Sequence, residues 1–142
     1  MESGSRLIAI DYGIRRTGLA VSDPARIIAT ALDVVPTEKL LDYLSSYCTK
    51  ERVGRIIIGM PRRFNNQPSD TAEAIRKFLP SLQERFPGIP VEEVDEQFTT
   101  IRAQEAMISG GMKKKDRQMK GAADKISATL ILQEYMSRNQ IR

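Results

Sequence analysis

Leu7 to Asp23 reads L-I-A-I-D-Y-G-I-R-R-T-G-L-A-V-S-D. Leu7 to Ile10 are four consecutive apolar residues, the pattern of a strand buried on both faces at the centre of a covered sheet. The run stops at Asp11, and Tyr12-Gly13 opens a turn that carries two cations, Arg15 and Arg16. Thr17 to Val21 read as a second strand, so the local structure expected is a β-hairpin with a basic tip. A carboxylate closing a buried strand is costly unless something neutralises it. Asp11 is therefore the first sign of a site.

Working outward, the apolar run from Ala25 to Val35 reads as a third strand completing a meander. Thr37 is placed to cap a helix from Glu38 to about Thr49, with Leu40, Leu41, Leu44 and Tyr47 at helical spacing. Arg55 to Gly59 reads as a further buried strand, followed by Met60-Pro61 and a polar loop. Ser69 or Asp70 can cap a helix lasting to about Phe86, in which Pro80 predicts a kink or an early stop. Val91 to about Glu96 is a short strand. Thr99 or Thr100 caps a helix to Ser109, closed by Gly110-Gly111. The cationic segment Met112 to Lys120, expected to be a mobile loop, leads into a final helix from about Gly121 to Ser137. The order β-β-β-α-β-α-β-α-α implies one three-layer α/β domain with a mixed sheet over residues 1–142. Residues 1–5 and 138–142 are expected to fray.

Composition narrows the chemistry. The chain has 142 residues, 28% charged and 41% hydrophobic, the balance of a globular domain. No apolar run approaches the ~20 residues of a membrane span, and the first residues lack the features of a signal peptide, so no membrane association and a cytoplasmic location are expected. Cys48 is the only cysteine and there is no histidine. Cysteine-rich zinc sites, imidazole ligation and His-dependent nucleophilic catalysis are thereby excluded. Chemistry at neutral pH must use carboxylates, lysines, hydroxyls or a metal held by oxygen. The net charge of +4 mildly favours an anionic partner.

Three acids stand where a core is expected. Asp11 ends the first strand, and the last strand ends in Asp95-Glu96. Asp124 lies in the first turn of the final helix, sharing a face with Ala128, Ile131 and Tyr135. It either points with that stripe toward the sheet or serves the positive helix N-terminus. Alternation along V-E-E-V-D-E does not choose between Asp95 and Glu96. Converging carboxylates repel and raise one another's pKa values, which a divalent cation removes. Oxygen-only ligands suit Mg²⁺ or Mn²⁺, and strand C-termini are where open α/β sheets place ligands.

Cations fall on the same rim. Arg15 and Arg16 follow the first strand; Arg62 and Arg63 follow the strand ending at Gly59. Lys113, Lys114, Lys115, Arg117 and Lys120, less Asp116, supply a local +4. Each basic doublet taken alone reads as solvated surface. Together around carboxylates, they are what a phosphodiester substrate would need: metal for chemistry, basic side chains for phosphates.

Four ordered motifs carry a family resemblance: A-I-D-Y-G-I-R-R-T-G-L-A-V-S-D, I-I-I-G-M-P, V-D-E-Q-F-T-T and A-D-K-I-S-A-T-L-I-L-Q. Spanning Leu7 to Tyr135, the chain resembles the YqgF-type, Holliday-junction-resolvase-like family. That family comprises bacterial nucleases of the ribonuclease H-like fold linked to maturation of the 5′ end of pre-16S ribosomal RNA. The resemblance implies a mixed five-stranded sheet with helices on both faces. It also implies an acidic triad of Asp11, Glu96 and Asp124, which selects Glu96 over Asp95 as catalytic residue and metal ligand. The family's K/R-R element corresponds to Arg15 with Arg16, and the cations of the rim give the expected nucleic-acid contacts as Arg15, Arg16, Arg62, Arg63, Lys113, Lys114, Lys115 and Lys120. The implied partner is structured RNA or branched DNA, bound by a monomer or weak homodimer. Gln97 departs from the family's usual Asp-Glu-Arg, removing a fixed charge beside the site, and Asn65-Asn66 replaces its usual acidic-glycine pair.

The leading expectation is a metal-dependent phosphodiesterase. A nucleotide phosphotransferase with an Asp-x-Gly phosphate hairpin is the runner-up enzyme, but it requires a second lobe that 142 residues do not supply. A non-catalytic nucleic-acid-binding factor is the alternative of a different class. Dependence of cleavage on both divalent metal and Asp11 separates it from the nuclease.

Overall fold

The computed structural model describes residues 4–61, 70–95 and 122–138. In chain order they form β1 (Arg6–Asp11), β2 (Arg16–Ser22), β3 (Ala29–Pro36), a 3₁₀ turn (Thr37–Lys39), α1 (Leu40–Lys50), β4 (Val53–Met60), α2 (Asp70–Arg85), β5 (Val91–Asp95) and α3 (Ala122–Arg138). The strands make one five-stranded sheet in the order β3-β2-β1-β4-β5. The meander β1-β2-β3 is antiparallel, whereas β4 runs parallel to β1 and β5 parallel to β4. The sheet is mixed, as expected.

Both faces of the sheet are covered, which is why β1 and β4 read as continuous apolar runs rather than alternating ones. Ile8, Ile10, Leu19, Ile56 and Ile58 pack with Leu40 and Leu44 of α1 and Ile75 and Leu82 of α2. Leu7, Ala9, Ala20, Ile57 and Val94 pack with Ala128, Ile131, Leu132, Tyr135 and Met136 of α3. Each fully buried isoleucine contributes about 1.5–3 kcal/mol of apolar burial. Small residues line the contact between α3 and the sheet: Ala9 and Ala20 of the strands and Ala128 of the helix have no exposed surface.

Tyr135 ties the last turns of α3 to the sheet. Its hydroxyl accepts a hydrogen bond from Arg55 Nη1 at 2.8 Å, and Arg55 is the register partner of Leu7 near the start of β1. The C-terminal part of α3 therefore lies near the N-terminal end of β1.

Two local expectations are corrected, and of the kink or early stop expected at Pro80 the stop does not occur. The third strand begins at Ala29 rather than in the run from Ala25, because Asp23 organises the preceding residues as a loop. Its Oδ1 accepts from the Ile27 and Ile28 amides, both at 2.7 Å, and Arg26 sits in the left-handed region at φ 58°. Thr37 caps no helix: α1 starts at Leu40 without a side-chain cap, and the Thr37 hydroxyl is used elsewhere. Pro80 lies inside α2 without ending it. Pro80 and Arg76, whose carbonyl it leaves without a helical partner, are both exposed, so water can satisfy that oxygen. Ser69, the other residue expected to cap α2, the helix expected to Ser109 and the cationic segment lie outside the described residues.

Candidate active-site rim

β1, β4 and β5 run parallel, so their C-terminal ends, Asp11, Met60 and Asp95, meet one rim of the sheet. Asp11 is half-buried and pairs with Gly18 of β2. Strand alternation gives it the face of Leu7 and Ala9, the face that α3 covers. Tyr12 takes the opposite face and packs on the α1–α2 core. Its ring lies 4.9 Å from that of Phe78, tilted by 39°, and burial pushes its hydroxyl pKa up. Anchoring Tyr12 below the sheet leaves Asp11 above it, beside the turn.

That turn is closely determined. A Cβ on Gly13 would overlap the Arg16 carbonyl oxygen, so only glycine fits the approach. Arg15 is exposed and Arg16, the first residue of β2, is half-buried. Thr37, 24 residues from Gly13, donates its hydroxyl hydrogen to the Gly13 carbonyl at 2.6 Å. The Thr37 amide donates to the Arg15 carbonyl at 3.0 Å. The Thr17 and Thr37 hydroxyl oxygens are 2.8 Å apart.

Of the acids expected at the site, the structure places Asp11 on the rim and Asp124 in the first turn of α3; Ala128, Ile131 and Tyr135 on its stripe are buried as the spacing predicts. Glu96 lies just beyond β5, outside the described residues, as do Arg62, Arg63, Lys113, Lys114, Lys115 and Lys120. Among the described residues no cluster of three Asp, Glu, His or Cys side chains could hold a metal. No described helix is long and apolar enough to cross a membrane. Three polar residues near the motif carry structural duties that sequence reading missed. Ser22 accepts from the Leu7 amide at 2.9 Å and donates to the Asp23 carbonyl at 2.9 Å. Asp23 builds the loop after β2, and Thr37 ties the basic turn. A Ser-Asp pair closing a buried strand was the available signal for the first two.

The arrangement is a carboxylate and a basic turn at the parallel ends of a mixed sheet. The family profile for RuvX, described as Holliday junction resolvase, matches residues 5–138. The chain belongs to the RuvX family. Among RuvX relatives, a Bacteroides fragilis protein named “Putative pre-16S rRNA nuclease” is 50% identical over 137 residues, covering 96% of this chain and 99% of that one. A Phocaeicola vulgatus protein of the same name is 53% identical over 132 residues, covering 93% and 95%. Among solved structures, Thermus thermophilus RuvC in complex with a Holliday junction substrate superposes with a TM-score of 0.58 at 18% identity, covering 94% of this chain and 95% of that one. At that identity the likeness establishes the fold, and this RuvX chain shares the ribonuclease H-like architecture.

Proposed function

We propose that this RuvX protein is a metal-dependent nuclease that hydrolyses phosphodiester bonds in maturing the 5′ end of pre-16S rRNA. The observation that carries the reading is Asp11, a carboxylate closing a doubly covered strand beside a basic turn. Relatives at half identity bear the name of a pre-16S rRNA nuclease. Asp11, Glu96 and Asp124 would hold Mg²⁺ or Mn²⁺, since an all-oxygen donor set without histidine suits those ions. The family motif, matched here by Asp95-Glu96-Gln97, is what favours Glu96 over Asp95. A bound divalent ion supplies charge stabilisation at phosphorus and a more acidic water.

Within this reading the protein's own side chains divide the work. Asp11, Glu96 and Asp124 together supply the negative charge of the site. Arg15 and Arg16 bind phosphates of the substrate backbone and so contribute to affinity. Arg62, Arg63 and Lys113, Lys114, Lys115 and Lys120 extend the cationic track along the backbone. No base other than water and carboxylate is required in a chain without histidine.

Branched DNA is the second substrate class, favoured by the family's description as a Holliday junction resolvase. Parallel cleavage of a pre-16S rRNA 5′ fragment and a four-way DNA junction, with and without Mg²⁺, tests both. Asp11→Asn should fold normally and lose metal-dependent cleavage of whichever substrate wild type cuts. Pure Asp11→Asn protein cutting at the wild-type rate refutes the nuclease reading. Metal-independent binding without cleavage by wild type identifies a non-catalytic RNA- or DNA-binding factor instead.

A further inference from the structure

The Thr37 hydroxyl joins two segments far apart in sequence, at the place where the basic turn meets the end of β3. The Gly13 carbonyl can only accept, so the single hydroxyl hydrogen of Thr37 is committed to it. The Thr37 oxygen is then the acceptor for Thr17, whose hydroxyl has no exposed surface and needs a partner. One side chain thereby fixes the carbonyl in the middle of the turn and satisfies the first buried hydroxyl of β2. It does so from the residue whose amide also holds the Arg15 carbonyl. Asp11 does not depend on this tie, because its backbone is held by pairing with Gly18 in the sheet.

We infer that Thr37 is a positioning residue: its hydroxyl holds the Tyr12–Arg16 turn in the conformation that presents Arg15 and Arg16 to nucleic-acid phosphates. The inference rests on the nucleic-acid reading proposed above, for the identity of the ligand. It assigns to Thr37 a role in binding strength and not in the saturated chemical step. Valine keeps the β-branched shape and deletes both hydroxyl hydrogen bonds; serine keeps the hydroxyl.

The test is equilibrium binding of a fluorescent pre-16S rRNA 5′ fragment, and of a four-way DNA junction, at several salt concentrations. Thr37→Val should bind about three- to tenfold more weakly, with a shallower salt slope, and Thr37→Ser should bind within about twofold of wild type. Amide hydrogen exchange should rise at residues 13–16 in Thr37→Val and stay unchanged in β1 and β4. Single-turnover cleavage at saturating protein should retain its rate, so that the loss appears in KM. In an Arg15→Ala, Arg16→Ala background the effect of Thr37→Val should disappear, since Thr37 acts through those two side chains. Thr37→Ala serves the same comparison if the valine variant does not fold. Wild-type affinity and salt slope in Thr37→Val overturn the inference, as does an undiminished effect in the double-arginine background. Binding needs no turnover, so a wild type that binds without cutting removes only the nuclease reading. A wild type that binds neither probe overturns both.

Discussion

Replacing Ala128 with leucine tests whether close approach of α3 to the sheet is what sets the rim. Ala128, Leu132, Ala9, Ala20 and Ile57 form one layer, and none has exposed surface. Leucine adds three carbons to a layer with no free side, so either the side chains leave their rotamers or α3 lifts. Overpacking of this size costs about 1–3 kcal/mol. At roughly 3–4 °C per kcal/mol for a domain of this length, the unfolding midpoint should fall by about 3–12 °C. Gln133→Leu, at an exposed position of the same helix, should stay within about 0.5 kcal/mol of wild type. Urea unfolding followed by circular dichroism gives both values at a shared m. Single-turnover cleavage should then be measured where both variants are fully folded. Because a shift of ~1 Å near reacting groups can cost on the order of a hundredfold, Ala128→Leu should lose at least tenfold in rate. An unchanged urea midpoint would show that the layer is not tight. Lost stability with a wild-type rate would show that α3 does not carry a group the reaction needs.

Asp11→Asn should melt no lower than wild type in metal-free buffer, because in the proposed acidic triad the loss of one charge relieves repulsion; a clearly lower melting temperature would contradict that triad. Replacing Lys113, Lys114 and Lys115 with alanine should weaken RNA binding far more than the bound-state cleavage rate. Its salt slope should become shallower by roughly one unit for each phosphate no longer neutralised, and an unchanged slope assigns phosphate binding to the arginines. The Ile28 amide, with help from that of Ile27, holds the Asp23 carboxyl below its usual range. A depressed folded value means the loop gains from ionised Asp23 above the unfolded value and loses that gain as pH falls through the folded one. Amide exchange at Ile27 and Ile28 should therefore rise below about pH 4, and Asp23→Ala should show that raised exchange at pH 7.

The strands at the centre of the sheet were legible because burial on two faces leaves a mark no local competition can erase. Leu7 to Ile10 and Ile56 to Ile58 are apolar at every position, and both strands lie where that pattern puts them. The stripe Ala128, Ile131, Tyr135 was legible for the same reason at helical period. Short polar residues were not. Thr37 before a run of helical spacing fits an N-cap by every local rule, yet its hydroxyl serves a carbonyl 24 positions earlier. Asp23 competes in the same way: its carboxylate takes two amides that the apolar run would have given to a strand. Side chains that can bond to backbone have several destinations of similar energy, and the winner depends on what the fold brings near.

The candidate site divides along the same line. Asp11 could be found from sequence because an acid ending a buried strand conflicts with its surroundings whatever the topology. The choice between Asp95 and Glu96 could not be made from alternation, since valines stand on both faces of β5 and the pattern does not say which face meets α3. That label is a property of the assembled sheet. Parallel pairing of β4 with β5 puts Val94 beside Gly59, and burial then groups Val94 with Leu7, Ala9 and the α3 stripe. Within β5, Val94 is thereby the residue that shares the α3-covered face with Leu7 and Ala9. A strand too short and too polar to declare its own orientation thus takes it from the neighbours it pairs with.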